Sequence, residues 1–284
     1  MSARPWLLAI AAGLLTVACS SAAGQPQQGP PLPEPTSPSI TPPDSPSPSP
    51  SGPAGTAPRA GRPLAGKVVG IDPGHNGGNA ADPVYIDHLI WNGRESETCD
   101  TTGTQTAGGY TEARFNFNVA RYLRADLEAA GARVVMTRPN NHGVGPCVTR
   151  RARIIDAAHA NVAIDIHADG GPVWGRGFTV LEPVADGVND HVIASSERFG
   201  RDVRSALLRH TSMPESDYYG SNGVEFRDDL AGLNLTTVPK VLIECANMRN
   251  ATDAGVVQSP SWRQSAAQGI ANGIEQYLEA TLRA

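Results

Sequence analysis

From Lys67 onward the chain alternates short, nearly all-apolar runs with longer segments of helical period, and this alternation decides the class of fold before any single residue is considered. Lys67 to Asp72 (KVVGID) ends in Pro-Gly, as a buried strand does on entering a loop. Thr111 is placed as an N-cap, and Phe115, Val119, Leu123 and Leu127 recur every four residues until Gly131 stops the helix. Arg133 to Thr137 (RVVMT) reads as a second strand, Thr149 to His159 as a helix, Val162 to His167 (VAIDIH) as a third strand and Gly177 to Leu181 as a fourth. A polar helix from about Asp190 to His210 follows, then a strand from Pro239 to Glu244 (PKVLIE). Ala266, Ile270, Ile274, Leu278 and Leu282 mark a C-terminal helix. Strands separated by helices of this length imply an α/β single domain with a twisted, mainly parallel central sheet covered by helices on both faces.

The stretch before this pattern is of another kind. Residues 1–19 read as an export signal: Arg4 supplies a positive charge, Trp6 to Leu15 is almost wholly apolar, and small residues follow. The run is short for a membrane span. Leu15-Thr16-Val17-Ala18-Cys19 resembles a bacterial lipoprotein box, with Thr16 where such boxes carry Leu, so a lipid anchor at Cys19 is expected and ordinary secretion is the alternative. Residues 20–63, dominated by Pro, Ser and Gly, have no apolar period that could build a core and are expected to form a disordered tether. In polyproline-like conformation it would reach on the order of 100 Å. Residues 64–284, about 220 in number, can bury a large core without help from a metal or a disulfide. The expected location is extracytoplasmic, in contact with the membrane only through the lipid, and the expected state is a monomer.

A formal net charge of −5 and the lack of a basic stripe exclude nucleic acid as a partner. In an oxidising compartment, Cys99 and Cys147, both in Gly/Asn/Thr-rich segments, form the natural disulfide pair. Cys245, just past Val241-Leu242-Ile243, reads as a small buried side chain. No pair has C-x-x-C spacing, which disfavours a three-cysteine metal site.

In parallel sheets, ligands bind beyond the carboxyl ends of the strands, and that rule selects among the polar residues. His75 lies just past the first strand, His167 at the end of the third, Glu244 at the end of the fifth and Glu112 at the start of the first long helix. Two imidazoles and a carboxylate are the ligand set of a hydrolytic zinc site with a fourth position left for water, and a further carboxylate can move the proton. Taken singly, each residue has a blander explanation. A lone histidine after a strand is usually structural, Glu112 could merely meet the positive end of a helix dipole, and His167 could be a core residue. Glu244 resists such a reading, because an acid ending a buried strand is costly unless paired or functional. His88, His142, His159, His191 and His210 fall in polar loops or helices and are read as structural. Asp72 is expected to orient the loop or the ligands from behind.

These residues resemble the zinc-dependent N-acetylmuramoyl-L-alanine amidases, the family that includes the cell-separation amidases. The resemblance runs in order through Asp72-Pro73-Gly74-His75, Glu112 with Asn116, Gly131 to Arg138, Arg151, Ile166-His167-Ala168, Pro239 to Glu244, Asn250, Asp253 and Ala267 to Leu278. It implies one Zn2+ ion held by His75, Glu112 and His167, with Glu244 as catalytic base and acid. It also implies hydrolysis of the amide joining N-acetylmuramic acid to L-alanine in peptidoglycan or its fragments. The chain departs from the family where Asp165 and Asp169 flank His167 and where Cys245-Ala246-Asn247 follows Glu244, which bears on local charge and substrate preference. The long polar segment Tyr85 to Gly109 shows no helical plug. A zinc peptidase or deacetylase would share the metal chemistry, and an inactive wall-binding lipoprotein would be expected to lack a ligand or the base; this chain lacks none of the four.

Overall fold

The computed structural model describes residues 61–283, so the expected export signal with Cys19 and nearly all of the expected tether lie outside the described residues. In chain order the elements are β1 (Val68–Pro73), α1 (Pro83–Ile86), β2 (Leu89–Trp91), β3 (Ser96–Thr98), α2 (Glu112–Ala129), β4 (Arg133–Met136), α3 (Val148–Ala157), β5 (Val162–Asp169), β6 (Thr179–Pro183), α4 (Ile193–His210), β7 (Val224–Arg227), α5 (Ala231–Asn234), β8 (Lys240–Asn247), α6 (Ala251–Val257) and α7 (Pro260–Arg283).

Six strands form one sheet in the order β4-β1-β5-β8-β6-β7. β4, β1, β5 and β8 pair in parallel, β6 runs antiparallel to β8, and β7 lies parallel to β6 at the edge. The mainly parallel α/β domain with helices on both faces is therefore present. Side chains two apart along a strand share a face. Val69 and Ile71, then Ile164 and Ile166, then Val241 and Ile243 all enter one core with Phe115 and Leu123 of α2, Phe199 of α4 and Ile270 of α7. Fully burying each such side chain stabilises the fold by about 1.5–3 kcal/mol. On the opposite face the apolar clusters are small: Ile155 of α3 with Ala163, and Leu233 of α5 with Leu181 and Leu242. Between them stand Asp72, Asp165 and Lys240, all buried.

The sequence pattern misses β7 and the β2–β3 hairpin. Both are short, and their exposed or half-buried positions leave no apolar run to read. β5 and β8 also continue past His167 and Glu244, so neither residue ends its strand. The expected strand at Gly177 to Leu181 is shifted to Thr179–Pro183, and the polar helix proper begins at Ile193 after a short 3-10 turn.

Candidate metal and catalytic site

The loop leaving β1 turns sharply because His75 adopts a left-handed backbone with φ of 55°. Such a conformation costs a non-glycine residue on the order of 1–3 kcal/mol and persists only where its surroundings enforce it. Arg151 of α3 does so: its guanidinium donates to the carbonyls of Pro73 (2.8 Å) and His75 (3.0 Å) and to the carboxylates of Asp72 and Asp100 (both 2.9 Å). Arg138 donates to Pro73 O (2.8 Å) and, across to the start of α2, to Ala113 O (2.8 Å). Behind the ring, His75 Nδ1 faces Asp100 Oδ1 (3.3 Å) and Thr101 O (3.1 Å), which leaves Nε2 pointing inward.

Glu112 opens α2 with Thr111 at the N-cap position, although the Thr111 hydroxyl makes no capping bond. Glu112 is only 4 % exposed. Its Oε2 accepts from Thr104 N (2.9 Å), and its Oε1 lies 3.2 Å from His75 Nε2 and 2.9 Å from His167 Nδ1. The two imidazoles meet edge to face with centroids 4.9 Å apart. Two glycines make the close approach possible. A Cβ on Gly74 would stand 2.1 Å from the His167 ring, and one on Gly103 would stand 2.5 Å from His75 and 2.6 Å from Glu112.

These three donors suit a divalent ion. One nitrogen or oxygen from each of His75, Glu112 and His167 lies within 4.8 Å of the others. Tetrahedral zinc, with bonds of about 2.0–2.1 Å, asks for neighbouring ligand atoms about 3.3 Å apart, close to the two contacts above. The electrostatics call for a cation as well. Burial opposes protonation of His75, but Glu112 and Asp100 outweigh it and push its pKa up to about 10. Burial likewise opposes ionisation of Glu112, yet His75 and His167 hold its pKa well below the usual carboxylate range.

Glu244 is the register partner of His167 across the parallel β5–β8 ladder, so both side chains rise from the same face of neighbouring strands. Its Oε2 is buried with no hydrogen-bond partner in the protein. Burial, reinforced by Glu112 and Asp169, raises its pKa well above the usual value against the weaker pull of His75 and Arg227. A carboxyl that readily holds a proton therefore stands beside the three donors. All four residues line one cleft of about 400 Å³, which extends past Leu181, Leu242, Leu230 and Arg227 and along Glu97 and Thr98 of the hairpin.

Asp165, on the strand residue that pairs with Asp72, lies 2.8 Å from Lys240 Nζ as an ion pair whose geometry falls outside a directed hydrogen bond. Burial still pushes its pKa up to about 7. Asp169 accepts from the Tyr218 hydroxyl (2.7 Å) and from Gly170 N (2.6 Å). The two acids that set this chain apart from the family pattern are thus each matched by a partner of their own.

Sequence reasoning missed Asp100 and Thr104, because neither sits in a periodic element, and it gave Arg151 no role. Cys99 and Cys147 are buried side by side as free thiols, with His88 beside them; one ligand atom from each of the three lies within 4.8 Å of the others. The sequence gives His88 a purely structural reading, because nothing in its local sequence signals this neighbourhood. Cys245 is buried, as expected. His191 and His210 bond to Thr237 O (3.1 Å) and Asn272 (2.6 Å), away from the site.

Residues 69–276 match the N-acetylmuramoyl-L-alanine amidase family. The N-acetylmuramoyl-L-alanine amidase Rv3717 of Mycobacterium tuberculosis is 39% identical over 212 residues, covering 74% of this chain and 86% of that protein. The crystal structure of the N-acetylmuramyl-L-alanine amidase Ami1 of Mycobacterium smegmatis matches with a TM-score of 0.72 at 38% identity, over 76% of this chain and 99% of that one. AmiC2 of Nostoc punctiforme, at 21% identity and a TM-score of 0.58, shares the fold. Sequence, fold and the residues gathered at the sheet edge agree, and the chain belongs to the N-acetylmuramoyl-L-alanine amidase family of enzymes.

Proposed function

We propose that the chain is an exported, zinc-dependent hydrolase that cleaves the amide between the lactyl group of N-acetylmuramic acid and L-alanine, in peptidoglycan or its fragments, during wall turnover, remodelling or cell separation. The reading rests chiefly on one observation: His75, Glu112 and His167 from distant parts of the chain present one donor atom each to a common point, with the unpaired carboxyl of Glu244 alongside. His75 Nε2, Glu112 Oε1 and His167 Nδ1 would hold the ion. Bound there, zinc would supply Lewis acidity, polarising the scissile carbonyl and easing deprotonation of the attacking water. Glu244 takes that proton as general base and returns it to the leaving nitrogen as general acid, a shuttle that its unpaired Oε2 beside the three donors is placed to run. Asp100 fixes the tautomer of His75 by accepting from Nδ1, and Arg151 fixes Asp100. Cys99 and Cys147 bridge in the oxidising compartment, and Cys19 carries the lipid from which residues 20–63 tether a monomeric domain into the wall.

Defined muropeptides incubated with and without a chelator, followed by mass analysis, test this reading. The expected products are a free saccharide lactate and an intact stem peptide beginning at L-alanine, and the chelator abolishes both. Cleavage within the stem or release of acetate would assign the site to another wall bond. Glu244→Ala should lose turnover and keep zinc, whereas His75→Ala should lose both and stay folded.

A further inference from the structure

The sheet ends on one side at β4, which pairs with β1 and, among the described residues, with no other strand. Arg133 N and Thr137 N turn inward, to Lys67 O (2.8 Å) and Ile71 O (3.1 Å). Peptide groups alternate in direction along a strand, so those of Val134 and Met136 turn outward, to the open side of the edge. Beside that edge runs a groove of about 440 Å³ between β4 and α2. Phe117, Val134 and Met136, all half-buried, form its floor, and the exposed Arg121 and Arg124 form its rim. Arg138 closes one end, its guanidinium 4.9 Å from the centre of the Phe117 ring. The lining holds three arginines and no acid, on a chain whose net charge is −5. Arg124 pairs with Glu128 one helical turn away, and among the described residues Arg121 forms no ion pair.

We propose that this groove receives an extended segment of a partner protein, added as a further strand beside β4 and carrying acidic side chains toward α2. The outward peptide groups of Val134 and Met136 stand about 6.6 Å apart, the two-residue repeat of a strand, so an extended main chain satisfies both. In such a strand every second side chain faces α2. Phe117, Arg121 and Arg124 lie along one stripe of the helix over about 10.5 Å, and three alternate strand positions cover about 13 Å. An aliphatic side chain against Phe117 and Met136, followed by two acids against Arg121 and Arg124, therefore matches the groove in order. A charge that guards an edge against pairing stands on the edge strand and crosses it. Arg133, the charged residue of β4, instead donates to Ala158 O (2.7 Å) at the end of α3. The groove arginines stand on the helix, set beside an apolar floor, and leave the strand open. A phosphodiester polymer or an anionic lipid surface would meet the arginines and leave the main-chain groups unpaired.

A designed peptide, acetyl-Val-Thr-Glu-Thr-Glu-Thr-amide, gives the test when titrated into the full chain and followed by amide NMR. It should shift the amides of Val134 and Met136 to saturation. Arg121→Glu and Arg124→Glu should each weaken binding about tenfold, as should replacing both peptide glutamates by glutamine. N-methylating the peptide amides alters nothing in the chain and should abolish binding, because the ladder is lost while every charge remains. Binding that survives N-methylation reduces the groove to a charged patch and overturns the proposal. Equal affinity for the glutamate and glutamine peptides also overturns it, and so does the lack of a saturable shift at Val134 and Met136 with millimolar peptide. Inorganic polyphosphate and phosphatidylglycerol vesicles are titrated alongside. A shift that either produces, that the peptide does not, and that Arg121→Glu removes would give the groove to a polyanion or a membrane instead.

Discussion

The two faces of the sheet are built on opposite principles. Toward α2, α4 and α7 the strands present Val69, Ile71, Ile164, Ile166, Val241 and Ile243, all fully buried, with no ionised group among them. Toward α3 and α5 the alternate residues of the same strands are Asp72, Asp165, His167, Lys240 and Glu244, and Arg151 binds into them from α3. One face supplies most of the hydrophobic stabilisation, and it permits the other to bury charges that contribute little net stability even when paired. The arrangement separates what keeps the chain folded from what aims its reactive groups.

Arg151→Ala should break that separation most severely. Removing a cation bonded to both Asp72 and Asp100 leaves two buried acids uncompensated and should destabilise by about 3–5 kcal/mol in urea denaturation, with loss of zinc affinity. Ile243→Val on the apolar face should cost about 0.5–1.5 kcal/mol and leave turnover per folded molecule unchanged. A stability profile of the zinc-free protein against pH sharpens the comparison further. Asp165 and Glu244 have raised pKa values when folded, so deprotonating them opposes folding; His75, also raised, contributes stability that is fully present below its unfolded pKa and lost as pH rises towards 10. His75 therefore makes stability climb as pH falls towards about 6.5, and Asp165 and Glu244 continue the climb towards 5. Asp72 has the opposite sign: burial would raise its pKa, but Arg151 and Lys240 win and hold it low, so its contribution is lost as pH falls below about 4. A monotonic decline from pH 8 to 5 would contradict these assignments. Glu244→Gln, which keeps the shape and removes a buried acid that favours its neutral form, should leave the zinc-free fold no less stable at neutral pH, while turnover drops by about 10²–10⁴.

How much of this could be read from the sequence follows the same division. The apolar face announces itself through V-V-G-I and V-A-I-D-I, and α2 through its four-residue spacing, so the α/β architecture and the positions of His75, Glu112, His167 and Glu244 were legible. The polar face was only half legible. Asp72 drew notice by its position, but Lys240 looks like an ordinary charge at the start of a strand until its neighbour Asp165 is seen. Asp100 and Thr104 belong to an irregular segment whose shape is set by long-range bonds such as Arg151 to Asp100 and Thr104 N to Glu112. The expected Cys99–Cys147 pair lies together as two free thiols, and the proximity of both to His88 depends on the backbone bonds Cys99 N to His88 O (2.9 Å) and Val148 N to Cys99 O (2.8 Å).

β6 and β7 run against the other four strands of the sheet, and Thr179, at the beginning of β6, stands beside Glu244. On the β1–β5 side, the chain reaches the cleft as it leaves a strand; on the β6–β7 side, it reaches the cleft as it enters one. Insertions in residues 74–111 would therefore remodel one bank, and insertions in residues 170–178 or 211–223 the other, whereas a longer connection at residues 184–192 would fall at the opposite edge of the sheet. The two banks can be lengthened, shortened or exchanged separately, so relatives of this chain have room to diverge in what they grip without disturbing how they cut.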